Sequence, residues 1–221
     1  MTIDASALKR MHVKRMHVVA AKPNHGGTSY LVYRTAELAR IGCTVLYINN
    51  ELCSELLMSK LWSHGLTKSQ MNNITCIRPR DTDALFAEID SSNYDLVIID
   101  GIHTLITGTL SNLYNKIESF LLKLQSKCNS IVLTQLNRSS SDNDPLNCTV
   151  SYSYSYGDIC DTLSVLCRDD VILTETILKN RYDISGSTVN MFYIETEDGA
   201  PHFELFGETM SPDEDFIYAE A

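Results

Sequence analysis

The feature that most constrains this chain is a run of short segments that are apolar on both faces, each followed by a pattern of helical period. YDLVIID (94–100) is the clearest of them, and it ends in an acid. MHVVAA (16–21), TVLYIN (44–49), TCIRP (75–79) and SIVLTQL (130–136) read the same way. A strand with no polar face must be covered on both sides, which is the condition of a parallel strand between helices. The intervening segments fit that demand. Residues 29–42 carry apolar side chains at Leu31, Val32, Ala36, Leu38 and Ala39 and stop at Gly42; 51–65, 82–91 (with Thr82 as the expected cap) and 110–127 continue the alternation. The expected class is therefore α/β, with a mainly parallel sheet and helices on both faces. Segments 162–168, 171–180 and 189–195 read as strands joined by short turns, which predicts an antiparallel edge after the helices end.

Composition narrows the function classes. With 44% hydrophobic and 21% charged residues, a chain of 221 residues has the balance of a globular protein with a sizeable core. The net charge of −10 argues against a surface coated in basic residues for gripping nucleic acid. No apolar run approaches the roughly 20 residues of a membrane span, and the charged start lacks the apolar core of a secretory leader. The seven Cys form no CxxC pair, which fits free thiols in a reducing cytoplasm better than a zinc site. The expected division is an extension at 1–15, one core domain at 16–206 and an acidic tail at 207–221. The tail mixes Asp213, Glu214 and Asp215 with Phe216, Ile217 and Tyr218, and suits either a solvated end or a basic partner.

In a parallel sheet, ligands bind at the carboxyl ends of the strands. The first expected strand runs into Lys22-Pro23-Asn24-His25-Gly26-Gly27-Thr28-Ser29. A phosphate-binding loop has the pattern GxxxxGK[ST], whose backbone N–H groups curl around phosphate oxygens. Here Ala21 takes the first Gly position and Gly27 the Lys position, while Gly26 and Thr28 are retained. A plain strand–turn–helix connection explains the loop alone about as well. The other strand ends add to it. Asp100 stands where an acid would hold Mg²⁺, Glu51 follows the second strand where it could polarise water, and Gln135 ends the fifth where it could sense a terminal phosphate. The alternatives are a turn-capping Asp and a first-turn helix Glu favoured by the dipole.

Four stretches, AAKPNHGGT, VLYINNEL, LVIIDGIHTL and IVLTQLNRS, together resemble the RecA-like motor domain of DnaB-type replicative helicases, including their phage relatives. GDICDTLSVLCRDD and ILKNRYDISGSTVNMFYIE extend the likeness over about residues 14 to 206. The resemblance implies a P-loop NTPase fold that binds ATP and Mg²⁺ through residues 22–29. It implies Thr28 and Asp100 as metal ligands, Glu51 as the general base and Gln135 as the sensor. Lys179 and Arg181 would be the pair that reaches a neighbouring subunit's nucleotide, so the resemblance implies a ring or filament of identical chains. It also implies a role in DNA replication or recombination.

Three departures qualify those expectations. Gly27 removes a cation from the phosphate loop, a loss that commonly costs about 10²–10³ in rate. Lys22 and His25 are the basic groups nearby. The expected DNA loop, SSSDNDPLNCTVSYSYSYGD, has no Lys or Arg beyond Arg138, although Tyr152, Tyr154 and Tyr156 would share one face of a strand and could stack on unpaired bases of single-stranded DNA. A polar loop or sheet edge accounts for the same residues. Only about fifteen residues precede the first strand, so the linker-driven assembly of that family is expected to be absent or supplied by another protein. These departures keep a second expectation open, a catalytically inactive subunit serving as a structural or regulatory partner of a helicase or replication complex.

Overall fold

The computed structural model describes residues 15–136, 155–181, 188–195 and 201–205. Its centre is the strand β1 (Met16–Ala21), whose turn leads into α1 (Gly27–Arg40). There follow β2 (Val45–Asn49), α2 (Ser54–Ser63), α3 (Lys68–Met71), β3 (Ile74–Ile77), α4 (Thr82–Ser91), β4 (Leu96–Asp100), α5 (Ile102–Leu105), α6 (Leu110–Lys127) and β5 (Ser130–Gln135). After the undescribed 137–154 come α7 (Ser155–Ile159), β6 (Thr162–Asp169), β7 (Ile172–Asn180), β8 (Thr188–Glu195) and β9 (Pro201–Leu205). The nine strands form one sheet in the order β3-β2-β4-β5-β1-β6-β7-β8-β9. Pairing is parallel from β3 to β6 and antiparallel from β6 to β9. This is the mixed α/β architecture of RecA-like domains, with the expected antiparallel edge.

The doubly apolar strands have two destinations for their side chains. Val19, Tyr47, Ile98 and Leu133 point into a core shared with Tyr30, Leu31 and Val32 of α1 and Leu57 and Leu61 of α2. Their strand neighbours Val18, Leu46, Ile48, Val97, Ile99 and Val132 enter a second core under Leu85 and Phe86 of α4 and Ile117 and Leu121 of α6. Each such side chain contributes about 1.5–3 kcal/mol by leaving water. Truncating one to Ala costs about 2–5 kcal/mol, because the cavity collapses only in part.

Several expectations are corrected. The α4 cap is Asp81, whose side chain accepts from Ala84 N at 2.8 Å, and Thr82 is the first helical residue. The expected helix 51–65 is shortened to α2, because Asn49 ties the chain into a turn by bonding Leu52 N and O, each at 3.0 Å. Tyr156 is 1% exposed in the second core, so it offers no face for stacking on a base. Tyr152, Tyr154 and Arg138, like the tail 207–221, lie outside the described residues. Cys43, Cys128 and Cys160 are buried as free thiols. Among the described residues no helix is long and apolar enough to cross a membrane.

Candidate functional site

Strand register brings the site together. Ala21 lies beside Gln135, and Asn49 beside Asp100, so β1, β5, β2 and β4 end on one rim. The chain leaving β1 makes a turn closed by His25 N donating to Lys22 O at 3.2 Å. Asn24 (φ 66°) and Gly26 (φ 82°) are left-handed there, a backbone that turns successive N–H groups inward. Gly26 caps α1 with no side-chain bond, and no acidic residue stands in the first turn, so the positive end of the helix dipole faces the loop.

At the start of α1, Thr28 Oγ1 donates to Asp100 Oδ1 at 3.1 Å, and Tyr47 OH donates to Asp100 Oδ2 at 2.8 Å. Asp100 is fully buried. Burial is the main force on its carboxyl and pushes the pKa up to about 6; the Tyr47 hydrogen bond opposes this, Glu51 adds to it and Thr28 opposes it. Burial likewise drives the Tyr47 hydroxyl well above its ordinary value, so Tyr47 remains a donor.

Glu51 reaches over Gly101, and a Cβ built there would lie 2.5 Å from Glu51 Oε1. Gly101 is left-handed (φ 80°), which reverses the chain into α5. There His103 Nε2 lies 3.0 Å from Gln135 Nε2 and 3.5 Å from Glu51 Oε1. Burial pulls the His103 pKa down, with Glu51 opposing, so the imidazole is neutral near pH 7.

Lys22, Pro23, Asn24, Gly27, Thr28, Glu51, His103, Thr134 and Gln135 line one cavity of about 70 Å³. Pockets for drug-sized ligands run to roughly 300–1,000 Å³. This cavity is the size for a phosphate group, and the remainder of any nucleotide would lie outside it. A hydroxyl, a carboxylate and phosphate oxygens form a hard oxygen set of the type Mg²⁺ takes together with water. Thr28 lines the cavity with such a hydroxyl, and Asp100 stands behind it, hydrogen-bonded to Thr28 and outside the cavity lining. Among the described residues no cluster of three or more His, Cys, Asp or Glu could hold a metal alone.

Other expected residues stand elsewhere. Ser29 is buried in α1. His25 is turned toward β6, where its Nδ1 accepts from Arg168 N at 3.3 Å. Lys179 and Arg181 are at the opposite end of the sheet, since Asn180 pairs with Thr162 and Thr162 with His17. That level is four residues below Ala21, roughly 13 Å along the strands. Lys179 Nζ donates to the carbonyls of Gly157 and of Cys160 (2.8 Å), while Arg181 donates to Asp158 O and, at 3.4 Å, to Asp161 Oδ1.

The sequence pattern does not point to Tyr47, Gly101, His103 or Thr134. His103 stands three residues after Asp100 in LVIIDGIHTL, but nothing in the spacing shows that one turn of helix aims it back at Gln135.

The fold defines the class, a RecA-like mixed α/β domain with a polar rim at the carboxyl ends of its parallel strands. Among solved structures, the chain is similar to one described as an ATPase domain, with a TM-score of 0.70, 17% identity, and coverage of 85% of this chain and 84% of that one. It is equally similar to a DnaB-like replicative helicase solved for its interactions with primase, again at a TM-score of 0.70 and 17% identity; 85% of this chain is covered, and it spans 58% of that chain's length. No family model matches the sequence, and no curated protein does. The likeness is therefore one of fold.

Proposed function

We propose that this chain is a DnaB-helicase-like, RecA-fold protein of DNA replication or recombination. It binds ATP with Mg²⁺ and hydrolyses it weakly. The observation that carries the reading is the 3.1 Å bond from Thr28 to Asp100, on the rim that also presents Glu51 and Gln135 to the same cavity. The loop 22–27 and the α1 N-terminus cradle phosphate oxygens. Glu51 orients the attacking water, and Gln135 meets the terminal phosphate. Thr28 and, through it, Asp100 would hold Mg²⁺, which when bound would neutralise phosphate charge. Gly27 leaves the loop without its usual cation, which lowers the rate.

The positions of Lys179 and Arg181 support action in trans, because in this chain they lie far from its own loop. To serve a neighbouring copy they must first release the carbonyls around α7. The assembly is a ring or filament, or a complex with a helicase or another replication protein in a cytoplasm, and single-stranded DNA is its expected polymer.

Thermal-shift titration with ATP and Mg²⁺ tests the reading, since a ligand of the folded state raises apparent stability by mass action. Glu51→Gln is expected to keep that shift and lose hydrolysis. Unchanged turnover in Glu51→Gln, or no shift at millimolar ATP, removes the assignment.

The Gly27 position favours a second reading, an inactive subunit that regulates or braces an active partner. A Cβ at Gly27 would lie 3.0 Å from both Leu133 methyl groups. Restoring Lys there therefore requires Leu133 to give way. Hydrolysis that appears only in Gly27→Lys, alone or paired with Leu133→Val, would establish this reading.

A further inference from the structure

His103 stands between Gln135, assigned to the terminal phosphate, and Glu51, assigned to the attacking water, and approaches both through the same atom. Its Nε2 lies 3.0 Å from the Gln135 amide nitrogen and 3.5 Å from Glu51 Oε1, while its Nδ1 is buried with no hydrogen-bond partner. A neutral imidazole nitrogen offers either one lone pair or one N–H. With the lone pair on Nε2, it accepts from Gln135 and leaves Glu51 without a donor. With the proton on Nε2, it donates to Glu51 and repels the Gln135 N–H. The two contacts are alternatives.

We propose that His103 is a positioning residue that links Gln135 to Glu51 and makes this site distinguish a nucleoside triphosphate from a diphosphate. The inference rests on the nucleotide reading above. A terminal phosphate oxygen is an acceptor for the Gln135 amide, and it draws that amide away from the ring. The ring then carries its proton on Nε2, which takes one from water in the cavity as the Nδ1 proton is released to water in a transient opening around the buried nitrogen, and that N–H is donated to Glu51. The imidazole is neutral before and after. Glu51 is thereby fixed over Gly101, where the missing side chain leaves it room. A diphosphate does not reach Gln135, and the ring stays with the amide. The triphosphate gains one fixed charge-assisted hydrogen bond that the diphosphate lacks, an advantage of about tenfold in affinity.

The test compares Mg²⁺-dependent binding of ATPγS and ADP by calorimetry in wild type, His103→Phe and His103→Gln. Phe keeps the ring volume without nitrogen, and Gln places an amide near the position of Nε2. The expected result is a triphosphate preference in wild type, its loss in Phe with ADP affinity retained, and its recovery in Gln. In ring ¹⁵N spectra of the wild type, ATPγS and Gln135→Leu should move the His103 Nε2 signal in the same direction, and ADP should not. An unchanged preference in His103→Phe, or an Nε2 signal that ADP and ATPγS move alike, overturns the inference and leaves the nucleotide reading standing. Binding of neither nucleotide by the wild type overturns both.

Discussion

Two aspartates are buried at opposite ends of the same sheet, and their surroundings differ in kind. Asp161, just before β6, accepts from Met16 N at 2.8 Å and Gln125 Nε2 at 3.2 Å, and faces the Arg181 guanidinium at 3.4 Å. It therefore joins the start of β1, the helix α6 and the end of β7. Asp100, at the end of β4, accepts among the described residues from the neutral hydroxyls of Tyr47 and Thr28, and the charged group that acts on it is another carboxylate, Glu51. Both are nearly inaccessible, at 2% and 0% exposure. A buried anion is tolerated when a cation and backbone donors meet it, and is costly otherwise. The amino end of the sheet uses its carboxylate to hold the fold together. The carboxyl end keeps a carboxylate whose described hydrogen-bond partners are all neutral, which under the function proposed above leaves its charge for a cation.

The same substitution at the two positions should accordingly have opposite signs. Asp161→Asn removes charge from a site built for it and sets an amide N–H against existing donors. We expect a loss of roughly 3 kcal/mol by urea denaturation. Asp100→Asn removes an anion that folding destabilises. The folded pKa of Asp100 is raised from 3.8 to about 6. Its favourable contribution is thus fully present below pH 3.8 and is lost as pH rises through 6. At pH 7.5 Asp100→Asn should be more stable than wild type by on the order of 2 kcal/mol, and the stability decline between pH 4 and 6 should flatten. Mg²⁺ with ATP should stabilise the wild type and not this variant. A destabilised Asp100→Asn at pH 7.5 would show that the two ends of the sheet are alike.

This contrast is only partly legible in the sequence. Strands that must be covered on both faces announce themselves, so the parallel half and the rim positions of Thr28, Glu51, Asp100 and Gln135 follow from where apolar runs stop. The partners of those residues do not. Tyr47 reads as one more apolar strand residue, and only the register of β2 beside β4 shows that its hydroxyl reaches Asp100. Asp161 stands just before the strand expected at 162–168, where nothing in the pattern marks it, and its role depends on contacts with Met16 and Gln125, both distant in sequence. Tyr156 is misleading because SYSYSY alternates like a strand, whereas the chain turns helical at Ser155 and carries the ring into the core. The short strand β9, PHFEL, has too little pattern to be seen alone.

The glycine between Asp100 and α5 offers a smaller test at the same rim. Gly101→Ala places a Cβ against Glu51 and in a left-handed conformation that costs an L residue about 1–2 kcal/mol. Glu51 must move aside. We expect hydrolysis to fall much further than stability, with nucleotide binding kept. Equal losses in both would mean that Gly101 serves the turn alone.

The smallest expected effect belongs to Tyr47→Phe, and it bears most directly on why Asp100 differs from Asp161. The hydroxyl is the strongest of the neutral groups holding the Asp100 carboxyl down against burial. Removing it leaves the charged form with one donor fewer, so the pKa of Asp100 should rise above 6 and the pH-dependent loss of stability should extend toward neutrality. Below pH 3.8, where the carboxyl is protonated, the variant should differ from wild type by no more than about 1 kcal/mol, the net value of one buried hydrogen bond. Above about pH 7 the gap should widen, since the anion then lacks its best partner. Manganese binding, followed by electron paramagnetic resonance with ATP present, should narrow it again, because a cation meets the same charge more strongly than a hydroxyl does. A gap independent of pH would mean that the Tyr47 hydroxyl does not act on the charge of Asp100, and that the carboxylate is held by something other than this hydroxyl.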